Sequence, residues 1–136
     1  MKVVLDTNAL LVSIPRKSFY RTIFDALLKN KFDLLVSNEI LSEYEEIISN
    51  KANQVVSSNI IELLLSLKNV KRNEIFFHWN LINQDADDNK YVDCAIAGNA
   101  DVIVTNDKHF NVLKKLSFPK VKVISIEKFL ELIKSL

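Results

Sequence analysis

The sequence predicts an α/β protein built on a parallel sheet with helices on both faces. Three observations predict it. Short apolar runs alternate with amphipathic stretches from one end of the chain to the other, the pattern that feeds strand–helix–strand units. The first run, Lys2 to Leu5, reads as a buried strand, and Asp101 to Thr105 is a strand of β-branched character. No repeat, low-complexity tract or linker interrupts the 136 residues, so residues 1–136 are expected to form one domain around one core.

The elements follow in order. After the strand Lys2–Leu5, the stretch Ser18–Lys29 reads as a helix, because Phe19, Ile23, Ala26 and Leu27 recur at helical spacing. Phe32–Val36 is the second strand. Ser37 is a good N-cap for a helix over Asn38–Ser49, with Glu39 facing the positive helix end. A further helix starts at Ser57 or Ser58 and ends near Lys68. Val70–Phe77 reads as strand or partly loop, and polar Asn80–Asp87 as an ordered loop. A helix is expected from about Asp88 to Asn99, then the strand Asp101–Thr105 and a short helix over Lys108–Leu116. Pro119 breaks that helix, Val121–Ile124 is the last strand, and Ser125 caps a final helix with the stripe Ile126, Phe129, Leu130 and Ile133.

Composition closes off several functions. A single glycine, Gly98, cannot build the phosphate-cradling GxGxxG or GxxxxGK[ST] loops. The net charge of +1 does not mark the whole surface as a nucleic-acid binder. No apolar stretch approaches the ~20 residues of a membrane helix, so no membrane association is expected. Asp6 follows too soon after Met1 for a signal-peptide core. A lone cysteine, Cys94, forms no internal disulfide and suits a reducing cytoplasm. His78 and His109 lack zinc-site spacing, and no Ser-His-Asp arrangement emerges.

Four acidic positions carry the chemistry: Asp6, Glu43, Asp93 (with Asp88 just before it) and Asp107. Ligands of open parallel sheets sit at the carboxyl ends of the strands. Asp6 directly follows the first strand and Asp107 comes two residues after Thr105, so both belong on that edge. Each would also serve as a turn or cap residue. Glu43 and Glu45 flank the helical stripe Ile40, Leu41, Tyr44, Ile47 and Ile48, and periodicity does not choose between them. Asp93 interrupts Tyr91-Val92-Asp93-Cys94-Ala95-Ile96-Ala97, which is apolar nearly all round. A buried carboxylate there needs a base, for which Lys90 is the local candidate, or a metal. Asp88, with Asp85 and Asp87, lies at a helix entrance where acids also act as caps. A fold that gathers such acids around Mg²⁺ or Mn²⁺ resolves their cost, since these ions take oxygen ligands and pair with phosphates. A metal-dependent phosphodiesterase is therefore expected. Thr105 and Asn106 are placed to support a carboxylate or the metal's water by hydrogen bonds. Arg16, Lys17 and Arg21 form a basic patch suited to a phosphate backbone.

These residues resemble the PIN-domain ribonucleases, in particular the VapC-like PIN toxins of bacterial toxin–antitoxin systems. The matching pieces are Val3-Val4-Leu5-Asp6-Thr7-Asn8, Val36-Ser37 followed by Glu43, Asp85-Ala86-Asp87-Asp88-Asn89-Lys90 leading into Asp93-Cys94-Ala95-Ile96-Ala97, and Ala100-Asp101-Val102-Ile103-Val104-Thr105-Asn106-Asp107. The resemblance implies a three-layer α/β/α sandwich with a central parallel sheet. It implies an acidic pocket holding Mg²⁺ or Mn²⁺, cleavage of single-stranded RNA, an antitoxin partner and a homodimer. Asp6, Glu43 and Asp107 match the family's first, second and last acids, with Asn8 beside the first. For the third, an Asp leading an Asp-x-x-Ile-Ala-like helix fits Asp93, while the Asp-Asp-Asn-Lys stretch draws attention to Asp88. Two rivals stand beside this reading. One is an inactive module of the same fold that binds RNA or an antitoxin. The other is an aspartyl-nucleophile phosphatase with Asp6 attacking, although that pattern wants a second Asp where this chain has Asn8.

Overall fold

A computed structural model describes residues 1–136. Five strands form one all-parallel sheet in the order β3-β2-β1-β4-β5. They are β1 (Lys2–Leu5), β2 (Asp33–Val36), β3 (Val70–Arg72), β4 (Val102–Val104) and β5 (Val123–Ile124). The helices are α1 (Thr7–Ser13), α2 (Arg21–Leu28), α3 (Asn38–Lys51), α4 (Gln54–Ser66), α5 (Asn89–Ala97) and α6 (Ile126–Lys134). Two 3₁₀ segments, Ala86–Asp88 and Lys108–Lys115, flank α5 and β4. Right-handed crossovers place α1 to α4 on one face of the sheet and α5 on the other. The last helix, α6, packs against α2, and Phe129 on it meets Phe32 edge to face at 5.2 Å. The result is the expected three-layer α/β/α sandwich.

The central strands explain the stability of this arrangement. Val3, Val4 and Leu5 of β1 and Ile103 and Val104 of β4 are essentially sealed from solvent, as strands covered on both faces must be. Each such side chain contributes roughly 1.5–3 kcal/mol of burial. One apolar core joins them to Tyr44, Phe110 and Phe129.

Several elements differ from expectation, for local reasons. Helix α1 was not anticipated. It is only seven residues long, too short and too evenly apolar for a periodic signal, and it exists because Asp6 caps it by accepting from the Ala9 amide at 2.8 Å. Helix α4 starts at Gln54, because Asn53 caps it through the Val56 amide. The third strand is confined to Val70–Arg72, where it meets β2, and residues 73–84 run on without a ladder partner. Lys108–Lys115 is 3₁₀ and not α-helical.

The scarcity of glycine has a visible consequence. The left-handed positions are occupied by Asn30, Asn80 and Asn99, with φ of 60°, 52° and 54°, asparagine being the non-glycine residue that tolerates this region best. Gly98 itself has ordinary φ. It is needed for space: a Cβ there would lie 2.7 Å from Leu35 Cδ1 and 2.5 Å from Asn73 Nδ2. That lets the end of α5 press against the sheet.

Candidate active site

The strand order reverses between β1 and β4. The chain runs outward from β1 to β2 and β3, then returns to lay β4 on the other side of β1. Such a switch point opens a crevice at the carboxyl ends of the two strands. Asp6 and Thr105 are the residues that leave those ends, in register through the Leu5–Val104 pair. The Asp6 amide donates to the Val104 carbonyl at 3.2 Å.

One hydroxyl ties two acids together here. Thr105 Oγ1 donates to Asp6 Oδ2 and accepts from the Asp107 amide at 3.0 Å. Asp107 in turn caps the following 3₁₀ segment, accepting from the His109 amide at 2.9 Å. The His109 ring then reaches back: Nδ1 lies 3.4 Å from Asp107 and 3.3 Å from Asp88. Asp6, Asp107 and Asp88 thus converge although they come from three separate elements.

Glu43 approaches from α3. Tyr44 is fully buried and its hydroxyl donates to the Leu5 carbonyl at 2.6 Å, which pins α3 to the end of β1. That contact turns Glu43 toward the crevice and leaves Glu45 exposed, a choice the periodicity left open. Lys90 Nζ donates to Glu43 Oε1 at 2.7 Å. The hydroxyls of Thr7 and Tyr91 both donate to Oε2.

The charges show the strain of this crowding. Burial pushes the Asp6 carboxyl above its ordinary value. The bonds from Thr105 and Ala9 offset part of that rise, and the charges of Asp107 and Glu43 add to it. Asp88 is pushed up to about 6, by burial first and by Asp107 next, with His109 opposing. Glu43 behaves differently. Burial raises it, but the bonds from Lys90, Thr7 and Tyr91 outweigh that and carry it below the usual range. Burial and the Glu43 bond keep Tyr91 a protonated donor. No lysine or arginine pairs with Asp6, Asp88 or Asp107, whose nearest basic group is the His109 ring beside the last two, whereas Glu43 already has the Lys90 ammonium.

The other expected residues fall elsewhere. Asp93 is buried, as its apolar helix implied, but its partners are His78 Nδ1 at 3.2 Å and the Trp79 amide at 3.0 Å. Lys90, expected as its base, serves Glu43. Burial is the first cause of the rise at Asp6 and at Asp88, and the acids that add to it are Asp107, Glu43 and Asp85; Asp93 perturbs neither and acts instead on the Cys94 thiol. The structure does not bring Asp93 into the convergent group. Asn106 is also spoken for, accepting from the Ile126 amide at 2.8 Å and donating to Glu127. Asn8 is exposed on α1. Arg16 and Lys17 are exposed beyond the far end of that helix, about 10 Å from its start. Arg21 pairs with Asp25 at 2.9 Å and lies over Phe24.

Sequence reasoning missed Thr7, Lys90, Tyr91 and His109 as members of the site. Only Thr7, in Asp-Thr-Asn, carried a local hint. The donors suit a hard divalent cation. Asp85, Asp88 and His109 can each offer an atom within 4.8 Å of the others, and Asp107 joins them through its 3.4 Å contact with the His109 ring. Carboxylate oxygens are what Mg²⁺ and Mn²⁺ bind.

Comparison with known proteins agrees with this geometry. No curated protein matches the chain. Two of the solved structures that share its fold carry the name VapBC. One is VapBC2 from Rickettsia felis bound to a DNA fragment from its promoter, at TM-score 0.63 and 20% identity over 92% of this chain and 98% of that one. The other is VapBC-1 from nontypeable Haemophilus influenzae, at TM-score 0.62 and 18% identity over 93% and 99%. The family model of the PIN domain matches residues 2–109, which hold every acid of the convergent group. The chain belongs to the PIN domain family.

Proposed function

We propose that this protein is a metal-dependent endoribonuclease that cleaves single-stranded RNA, acting as the toxin of a toxin–antitoxin pair. The observation that carries the reading is the convergence of Asp6, Asp88 and Asp107, with no lysine or arginine paired to any of them, beside Glu43 at the switch point of a PIN-family sheet. Asp6, Glu43, Asp88 and Asp107 are the residues to hold Mg²⁺ or Mn²⁺. Asp93, which faces His78 and the Trp79 amide and not the other acids, is assigned to the scaffold. When bound, the ion supplies a Lewis acid for the phosphodiester and a source of hydroxide near neutral pH.

The chain's own residues prepare that chemistry. Thr105 fixes the spacing of Asp6 and Asp107 by bonding to both, as supporting groups around ligands do. Thr7 and Tyr91 orient one oxygen of Glu43, and Lys90 neutralises the other. His109 bridges Asp88 and Asp107 and lowers the repulsion between them.

The VapBC names of both similar structures support an antitoxin partner for this chain too. A homodimer and a cytoplasmic location complete the reading. No helix is long and apolar enough to cross a membrane. An aspartyl phosphatase is disfavoured, because the position two residues after Asp6, where that pattern wants a second carboxylate, holds Asn8, exposed on α1. The test is cleavage of a labelled single-stranded RNA in Mg²⁺ or Mn²⁺. Asp6→Ala should abolish cleavage while the circular dichroism spectrum stays native. Full activity in that variant overturns the assignment.

A further inference from the structure

Residues 73–84, the stretch without a ladder partner, carry aromatic rings to the surface. Phe77 packs on Trp79 at 4.8 Å, and Trp79 packs on Phe118 at 6.0 Å. These contacts use ring edges, and the side chains stay open: Phe77 is 64% and Phe118 80% exposed. An exposed apolar cluster of this kind needs a reason. The cluster is also held in place at some expense. Asp93 is a buried carboxylate whose partners are the His78 ring and the Trp79 amide, so its charge is spent on fastening the segment that carries Trp79 to α5.

The charge around Phe118 identifies the partner. From Lys108 to Ser125 the chain has five lysines and no acid, in a protein whose net charge is only +1. Lys114, Lys115 and Lys120 are exposed on either side of Phe118. Such a surface repels cations and attracts a polyanion. Rings interleaved with cations are how single strands are held without regard to sequence, each base stacking on a π-face while lysines track the backbone.

The 3₁₀ segment supplies the route. It begins at Asp107 and His109, inside the candidate active site, and ends at Lys114 and Lys115. Its eight residues span about 16 Å at ~2.0 Å each. That is roughly five stacked nucleotides at ~3.4 Å each.

We infer that Phe77, Trp79 and Phe118, with Lys114, Lys115 and Lys120, form a stacking platform that grips single-stranded RNA a few nucleotides from the scissile bond. The platform rests on the ribonuclease reading for its purpose and not for its binding. Phe118 and the lysines lie beyond the residues that match the family model, 2–109.

Trp79 is the only tryptophan, so its emission reports on the cluster directly. The experiment titrates the metal-free protein in EDTA with a single-stranded uridine dodecamer, so that binding is read without cleavage. Saturable quenching of Trp79 is expected. Phe118→Ala should weaken binding by roughly 5-fold to 150-fold, the range for losing one stacked base. Replacing both Lys114 and Lys115 by Ala should flatten the salt dependence by about 1.4 in log–log slope, ~0.7 per phosphate contact. Unchanged emission at saturating RNA, or wild-type affinity in Phe118→Ala, overturns the platform. So does a Phe118→Ala variant that shifts from dimer to monomer in sedimentation with RNA affinity intact, since the rings would then cover a protein interface. Quenching without any metal-dependent cleavage removes the nuclease and keeps the platform. Cleavage without quenching removes the platform alone.

Discussion

Replacing Asp88 with asparagine should make the metal-free protein more stable. Asp88 lies against Asp107 and Asp85 with its side chain 14% exposed, and its carboxyl is pushed up to about 6 from 3.8, by burial first. Below 3.8 the group is protonated in folded and unfolded chains alike and costs nothing. Between 3.8 and about 6 the unfolded chain gives up its proton while the folded one keeps it, so stability falls as pH rises. Above about 6 the full penalty stands. At ~1.36 kcal/mol per pKa unit the shift corresponds to roughly 3 kcal/mol, and solvent at the open rim reduces it to on the order of 1–2 kcal/mol. For a chain of this length each kcal/mol moves the melting point by about 3–4 °C. Asp88→Asn in EDTA at pH 7.5 should therefore melt about 3–8 °C above wild type. The gap should close toward pH 4. Excess Mn²⁺ should narrow or reverse the gap, because a ligand at 100 times its Kd adds ~2.7 kcal/mol to the wild type and less to a variant that binds it more weakly. Scanning fluorimetry across pH 4–8, with and without Mn²⁺, makes the measurement. A variant that melts at or below wild type in EDTA at pH 7.5 would refute the reasoning.

Calorimetric titration with Mn²⁺ should separate the two aspartates at the α5 end of the site. Asp88→Asn and Asp6→Asn should each weaken binding at least 10-fold, whereas Asp93→Asn should bind within about 3-fold of wild type; the opposite ranking would move the ion to Asp93. Gly98→Ala should cost about 1–3 kcal/mol, because its methyl would lie 2.7 Å from Leu35 and 2.5 Å from Asn73; chemical denaturation checks this, and a neutral result would mean those side chains move aside freely. Tyr91→Phe removes one donor to Glu43 and should lower cleavage while leaving the melting point within a few degrees; equal loss of both would make Tyr91 merely structural.

Much of the fold was readable because its signals are local. The strands at Lys2–Leu5 and around Val102–Val104 announce themselves as apolar runs. The caps at Ser37 and Ser125 accept from Ile40 and Lys128 as their sequence positions imply. Asp6 and Asp107 were legible as edge residues for the same reason, each following a strand. Helix α1 was hidden because its cap is Asp6 itself, a residue already read for another purpose. The shortness of β3 was hidden because a strand ends where its neighbour ends, and β2 stops at Val36.

By itself the sequence determined the alternation of strand and helix, and with it a parallel sheet carrying acids at its carboxyl edge. Tertiary structure alone decided which acids meet. Asp88 and Asp93 are five positions apart, roughly 140° of helical rotation at 3.6 residues per turn. One faces Asp107 and His109, and the other faces His78 and Trp79. Those partners come from remote segments, and whether a buried carboxylate faces a base or other acids depends on neighbours that only chain folding brings together.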